Sequence, residues 1–360
     1  MNILPKYRMP FLLIANLILL IGIWSGLQRL GWNLSFPNPK LLIQHGPLMI
    51  CGFLGTLISL ERAVASKNVW GYAAPASIGL GSLSLIILPQ PGLLPYLLIL
   101  GGGIVFTAIS IVIIKKFPIF PSYVIGAGVV LWVLGNILWF AGLTTSQFVG
   151  FWAGFLIFVI AGERLELSRV LKITRKARVI FIIILIVILV GIVQSTFSLI
   201  WGNRITGIGM ILLSIWLFEN DLARKNLYHS GLYRFIAVSL LAGYFWLGIS
   251  GILNIFYGGA ATGPLYDAIL HSFFVGFVFS MIFGHAPLIF PAILGVSIQF
   301  RQIFYIHLIL LHLTLIVRIM GDIIPWIPGR YWGGTLNGVA IIAFLLITVL
   351  SILFAKNAKD

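Results

Sequence analysis

Twelve apolar runs constrain this chain more than any other feature of its sequence. Each is close to the length of about 20 residues that an α-helix needs to cross the hydrocarbon core of a bilayer. Only 9% of the residues are charged, and the mean hydropathy of +1.11 lies outside the range of soluble domains. We therefore predict an all-α integral membrane protein. Residues 1–360 should form one polytopic domain embedded in a lipid bilayer. The predicted spans lie near residues 10–29, 41–61, 71–89, 93–114, 122–142, 146–164, 178–200, 203–219, 235–256, 266–285, 302–321 and 335–355.

The basic residues are distributed unequally between the two sides of the predicted spans. Of the 23 Lys and Arg, 18 lie at the termini or in the even-numbered connections and 5 lie in the odd-numbered ones. Basic residues concentrate on the cytoplasmic side of prokaryotic inner membranes, so we expect both termini in the cytoplasm. The net charge of +15 is then a topology signal, and we expect no nucleic-acid partner.

Three of the predicted spans carry a similar short sequence. Span two has GFLGTLISLER (52–62), span six GFLIFVIAGER (154–164) and span ten GFVFSMIFGHA (276–286). A repeat at every fourth span predicts three pseudo-repeated four-helix units, roughly residues 1–116, 117–230 and 231–360. The alternative is a shared composition of Gly-, Phe- and Leu-rich helices.

The histidines of spans two and ten carry a resemblance to known families. His271-Ser-Phe-Phe-Val-Gly276 followed by Met281 resembles the H-x-F-x-V-G-x4-M signature of the NnrS-like haem and copper membrane proteins. His45, Met49, Gly52 and Phe53 have spacings like those of the second span of that family. The layout of three four-helix units also resembles the catalytic subunit (subunit I) of the haem-copper oxidases, where spans two and ten bind a low-spin haem. The chain departs from both families: span two has one histidine where the NnrS family has a pair, and spans six and seven lack the oxidase copper ligands.

The resemblance implies one haem b near the outer face, bound by His45 and His271 with Met49 nearby. Both histidines lie at similar depth, His45 about 6 Å from the outer end of its span, and a six-coordinate haem iron takes two such ligands. By analogy with the oxidases, Arg318 and Arg330 would hold the haem propionates. The alternatives are histidines that hydrogen-bond across helices and an ordinary interfacial belt of Trp and Arg.

The remaining histidines and buried acids give further candidates. His312, near mid-membrane, is a candidate for a second metal site or for a contact to the haem edge, and the resemblance to haem and copper proteins leaves copper open as a second cofactor. His285 aligns with Glu61 and Glu163 of the other repeats, so the three could form an inner metal or proton site. Because an Arg follows each Glu, an ion-pair network is the alternative. We expect His307 to form a structural hydrogen bond and His229 to be solvated.

These observations predict a haem protein of nitric oxide metabolism or tolerance, or of respiratory electron transfer. It could act as a haem-dependent oxidoreductase, with an electron donor or other respiratory subunits as partners. Dioxygen reduction of the oxidase type is not expected, because the copper ligands are missing. Two alternatives stay open: a haem-free twelve-span transporter or channel, and a non-catalytic scaffold subunit of a respiratory complex. The clustering of intramembrane acids at the inner boundary disfavours the transporter.

Overall fold

The structure, a computed structural model, describes residues 4–35, 39–88, 92–171, 173–296 and 298–357. It is all-helical, with no strand among these residues, and twelve helices are long and apolar enough to cross a membrane. The predicted turn at residues 89–91, and Lys172 and Lys359 of the charge count, lie outside the described residues. Each predicted run corresponds to one helix: α1 Pro5–Arg29, α2 Lys40–Ser66, α3 Val69–Ile87, α4 Leu94–Lys116, α5 Phe120–Phe140, α6 Thr145–Leu167, α7 Arg175–Gln194, α8 Leu199–Asn220, α9 Gly231–Tyr257, α10 Gly263–Leu294, α11 Phe304–Ile323 and α12 Ile327–Phe354.

Local sequence signals set several helix ends. α4, α5 and α10 each have a proline in their first turn, where the missing N–H costs no helical hydrogen bond. The side chain of Thr174 accepts a hydrogen bond of 3.1 Å from the Ala177 N–H at the start of α7. Such caps satisfy N–H groups that a helix leaves unpaired at its start.

The chain divides into two compact units. The first comprises Met1–Leu143 with Ile289–Gly295, and the second comprises Thr144–Leu288 with Val296–Asp360. The first unit therefore holds α1 to α5 and the last residues of α10, and its core includes Trp132 packed edge-on against Phe106. The second unit holds α6 to α9, most of α10, and α11 and α12.

Helices α2 and α10 contain π-helical segments, at Leu48–Gly55 and Ser272–Phe279. π-Helix is rare and occurs frequently at functional sites. The two segments are 224 residues apart, the same offset that aligns Gly52 with Gly276 in the repeated sequence. Helix α6, by contrast, is α-helical throughout. A local backbone departure thus distinguishes α2 and α10, the two helices that carry His45 and His271.

Candidate functional site

His45 lies at the beginning of α2, in a notch of helix α1. Its Nδ1 is 2.7 Å from the carbonyl oxygen of Gly22. A carbonyl oxygen only accepts hydrogen bonds, so Nδ1 carries the proton and the imidazole lone pair is on Nε2. A Cβ at Gly26 would lie 2.8 Å from Cε1 and 3.1 Å from Nδ1 of His45. The missing side chain of Gly26 therefore leaves space for the imidazole, and the carbonyl of Gly22, one helical turn earlier, binds its Nδ1–H; we call these two residues the glycine seat.

Met49 packs on the same glycine face of α1. It follows His45 by four residues, and a Cβ at Gly22 would lie 2.6 Å from its sulfur. Small residues spaced by four let membrane helices approach closely. The sequence Gly22-Ile-Trp-Ser-Gly26 carries that spacing and was overlooked in the sequence analysis, because a glycine pair does not reveal which side chain it accommodates.

His271 immediately precedes the π-helical segment of α10, in the second unit. Its Nδ1 is 2.8 Å from the carbonyl oxygen of Asp267, one turn earlier in the helix. Because this carbonyl oxygen can only accept, Nδ1 of His271 carries the proton and Nε2 the lone pair, as in His45. A backbone carbonyl that fixes one ring nitrogen is a common outer-shell contact of metal-binding histidines.

Two arginines and two aspartates form an ion-pair network beside His271. Arg330 Nη2 is 2.7 Å from Asp267 Oδ2, and Arg330 Nε is 3.0 Å from Asp322 Oδ1. Arg318 Nε is 3.9 Å from Asp322 Oδ2, and the Asp322 side chain is fully buried. Both arginines predicted to hold propionates therefore already face protein carboxylates. With all four groups ionised, the network has no net charge.

The two aspartates of this network were not predicted from the sequence. The acids predicted within the membrane lie at the inner boundary, whereas Asp267 lies in the second turn of α10 and Asp322 near the end of α11. Spacing could have revealed them: Asp267 precedes His271 by four residues, and Asp322 follows Arg318 by four, so each pair shares a helix face. The positions of the acids therefore disfavour a transporter less than the sequence alone indicates.

At the opposite end of α10, His285 joins a second polar cluster. Its Nδ1 is 2.7 Å from the carbonyl oxygen of Met281, and its Nε2 is 3.1 Å from Nη1 of Arg164. Arginine only donates, so Nε2 accepts this bond and the His285 ring is neutral with both nitrogens engaged. Arg164 Nε also lies 3.2 Å from Asp221 Oδ2, and both of these side chains are buried. Asp221, which the sequence analysis did not single out, is thus the acid that compensates Arg164.

The two glutamates of the repeated sequence lie in different surroundings. Glu61 is 3.9 Å from its neighbour Arg62, an ion pair at the end of the repeated segment. Glu163 is partly buried. Within the described part of the chain, no three His, Cys, Asp or Glu side chains are grouped so as to hold a metal ion.

His312, predicted as a second metal ligand or a haem contact, accepts a hydrogen bond from an indole. Trp246 Nε1 is 3.0 Å from His312 Nδ1, and because an indole N–H only donates, the neutral ring carries its proton on Nε2. That Nε2 is buried and has no hydrogen-bond partner among the described residues. A Cβ at Gly276 would lie 2.6 Å from Trp246 Cβ, so the repeated glycine makes room for this indole. In this arrangement the nitrogen of His312 that Trp246 does not contact, Nε2, is a donor, whereas a metal requires a lone pair.

His307 is fully buried among phenylalanines. Neither ring nitrogen has a hydrogen-bond partner among the described residues, so the predicted structural hydrogen bond is wrong. Four phenyl rings lie with centroids 4.7 to 6.1 Å from the imidazole, those of Phe235, Phe283, Phe304 and Phe344. His229 is exposed in its loop, as predicted.

The chain belongs to a family described as a domain of unknown function (DUF8744), whose model matches residues 8–353. No curated protein matches the chain.

Proposed function

We propose that the protein is a membrane-embedded b-type haem protein in which His45 and His271 each serve as an axial ligand of haem iron. One observation carries the proposal. In both side chains a backbone carbonyl holds the proton on Nδ1. The lone pair is then on Nε2, which is the atom that can bind a metal. Both histidines also precede the π-helical segments that lie at equivalent positions in the repeated sequence.

The side chains around these histidines suit a haem ligand role. The glycine seat of α1 fixes the His45 ring, and the carbonyl of Asp267 fixes the His271 ring. A bound haem would supply a one-electron centre and, on loss of one imidazole, an open iron position for a gas. Arg330 is the better propionate partner of the two arginines. Its Asp267 and Asp322 contacts use Nη2 and Nε, so Nη1 remains as a donor.

The proposal extends to three four-helix units that resemble those of NnrS-like proteins and haem-copper oxidase subunit I. The repeated glycines support it: Gly52 packs against Ile18 of α1, and Gly276 packs against Trp246 of α9. In each case the nearest contact is with the preceding helix, the first of its proposed unit. We place the chain in a prokaryotic inner membrane with both termini in the cytoplasm. Its role would be in nitric oxide metabolism or tolerance, or in respiratory electron transfer.

A haem-free transporter or channel is the second candidate. It is favoured by the buried carboxylate of Asp322 and the partly buried one of Asp267, because acidic groups at membrane depth commonly mark ion or substrate pathways. Their pairing with Arg318 and Arg330 weighs against a mobile ion there, because both carboxylates are already compensated.

The test is the visible spectrum of the purified full-length protein, oxidised and dithionite-reduced, after expression with ample haem. We expect a low-spin b-type spectrum in the wild type and in the control His229→Ala, whose imidazole is exposed. His45→Ala and His271→Ala should each lose the haem or convert it to high spin. Loss of the low-spin signal in a variant, with the signal kept in His229→Ala, would support the replaced imidazole as a haem ligand. A colourless wild type would overturn the proposal and leave the transporter and the scaffold subunit as alternatives.

A further inference from the structure

A strongly basic surface lies in the second unit, where α6 ends and α7 begins. Residues 168–174 connect these two helices, and the connection between α8 and α9 lies beside them. The Leu222 N–H donates to Ser168 Oγ at 3.3 Å, and Trp216 Nε1 donates to the carbonyl oxygen of Ala177 at 2.9 Å. These bonds hold the two connections together, and their exposed basic residues form a surface that we call the basic patch: Arg169, Arg175, Lys176, Arg178, Arg224 and Lys225.

The charge of the basic patch is not balanced within the described part of the chain. None of its six side chains forms an ion pair or a hydrogen bond with another described residue. The exposed acids at the adjoining helix ends are Glu166 and Glu219, whereas Asp221 is buried and already paired with Arg164. The six positive charges therefore exceed the nearby exposed negative ones, and the patch attracts anions.

Three of these basic residues occupy a position that the helix itself disfavours. Arg175, Lys176 and Arg178 lie in the first turn of α7, which contains no acid. A helix N-terminus carries partial positive charge, so acidic residues are favoured there and basic residues are favoured at the C-terminus. Lys115 and Lys116, in the last turn of α4, have the favoured placement. Basic residues anywhere in a connection would orient the helices, so topology does not explain this position.

Exposed apolar side chains continue directly from the patch along α7. Val179, Ile180, Ile183 and Ile186 are between 41% and 54% exposed. The mean hydropathy of α7 reaches 2.9, the highest value among the twelve spans. Such a face suits contact with lipid tails, so the basic side chains lie where the apolar region ends and the headgroups begin. The connection 168–174 is too short to carry them far from that boundary.

We propose that the basic patch binds the phosphate groups of anionic phospholipids. A guanidinium presents paired N–H donors to a phosphate, and a lysine ammonium adds a compact charge. Clusters of about four to eight basic residues directly beside a membrane span attract anionic lipids in this way. A lipid fits the surface better than a soluble anion does, because its acyl chains would also contact the apolar side chains of α7. The interaction does not depend on haem.

Neutralising the first turn of α7 tests the patch. The glutamine variant replaces three exposed basic residues of that turn: Arg175→Gln, Lys176→Gln and Arg178→Gln. The charge-matched control replaces three exposed basic residues outside the patch: Lys6→Gln, Lys115→Gln and Arg301→Gln. A lysine variant, Arg175→Lys with Arg178→Lys, keeps the charge of the patch. All of these side chains are exposed, so the variants should fold.

The measurement is a titration of the full-length protein with phosphatidylglycerol or phosphatidylcholine, followed by native mass spectrometry. We expect the wild type, the control and the lysine variant to bind phosphatidylglycerol more tightly than phosphatidylcholine. In the glutamine variant the tightest phosphatidylglycerol site should weaken about 10-fold or more, because three basic residues are lost. Added salt should weaken the same site in the wild type.

Two results would overturn the proposal. The first is a wild type without preference for phosphatidylglycerol, or a glutamine variant that binds it as tightly as the control does. The second is displacement of phosphatidylglycerol by an equal concentration of inorganic phosphate, because the patch would then be a site for a soluble anion.

Discussion

Gly26→Ala should displace His45 without altering the histidine itself. The new Cβ would lie 2.8 Å from His45 Cε1, whereas carbon atoms in contact are about 3.5–4.0 Å apart, so the ring must retreat by about 1 Å. That movement lengthens the 2.7 Å hydrogen bond between His45 Nδ1 and the carbonyl oxygen of Gly22 beyond the hydrogen-bond range. The lost bond costs about 0.5–1.5 kcal/mol, but alanine gains up to about 1 kcal/mol of helix propensity over glycine. Thermal stability should therefore change little.

The assay must consequently report on the imidazole. Nitrogen-15 NMR of histidine-labelled protein distinguishes a ring with its proton held on Nδ1 from one that mixes both tautomers. We expect the Nδ1–H signature of His45 in the wild type and a mixed signal in Gly26→Ala. If the haem proposal holds, the low-spin spectrum should weaken in parallel. The control is Gly46→Ala, beside His45, where a Cβ meets no heavy atom within 4 Å.

An unchanged His45 signal in Gly26→Ala would refute the glycine seat. Equal perturbation by Gly46→Ala would refute it too, because the effect would then belong to any added methyl near the histidine. The NMR result does not require haem, so it separates the geometry of the seat from the ligand proposal.

Three further predictions follow from buried groups. Asp221→Asn should destabilise the protein by about 3–5 kcal/mol, because it leaves the buried Arg164 without its carboxylate partner. Thermal unfolding in detergent measures this loss. The same Asp→Asn or Glu→Gln change at an exposed acid should cause no comparable loss. His307→Phe should stabilise by about 1 kcal/mol or more, because it removes two unsatisfied nitrogens from a cage of phenyl rings; a lower unfolding temperature would contradict it. Gly276→Ala should cost about 1–3 kcal/mol and alter the fluorescence of Trp246, on which the new methyl would impinge.

Hydropathy predicted the twelve helices because the thickness of the bilayer sets the length of every one of them. A helix in lipid must satisfy its backbone internally and span a fixed thickness, so an apolar run of that length has few alternatives. Pro287 and Pro291 could have ended α10 early, yet the helix continues to Leu294. Its end is tied by Arg8, whose Nη1 donates to the carbonyl of Ile293 at 2.8 Å, a contact between residues too distant in sequence to anticipate.

The candidate site was predictable only in part. Histidines are conspicuous in apolar helices, so His45 and His271 could be selected from sequence alone. The proton position on each ring depends on which carbonyl lies 2.7 to 2.8 Å away, and for His45 that carbonyl belongs to another helix. The π-helical segments were not predicted either, because their residues have the same apolar composition as the α-helical counterpart in α6.

The haem proposal has two parts, the histidine ligands and the contacts of the arginines with the propionates, and charge affects only the second. Asp267 and Asp322 already balance Arg318 and Arg330, so two ionised propionates would bring the group to a net charge of about −2 in a medium where unpaired charge is costly. Three arrangements would avoid this excess charge. The propionate could bind in its protonated form, an aspartate could take up a proton, or the propionate could lie at the edge where the Arg330 side chain is 30% exposed to solvent. The histidine ligands face no such conflict, because a neutral imidazole binds iron through a lone pair that its carbonyl contact leaves on Nε2. The assignment of His45 and His271 therefore stands or falls independently of the arginines.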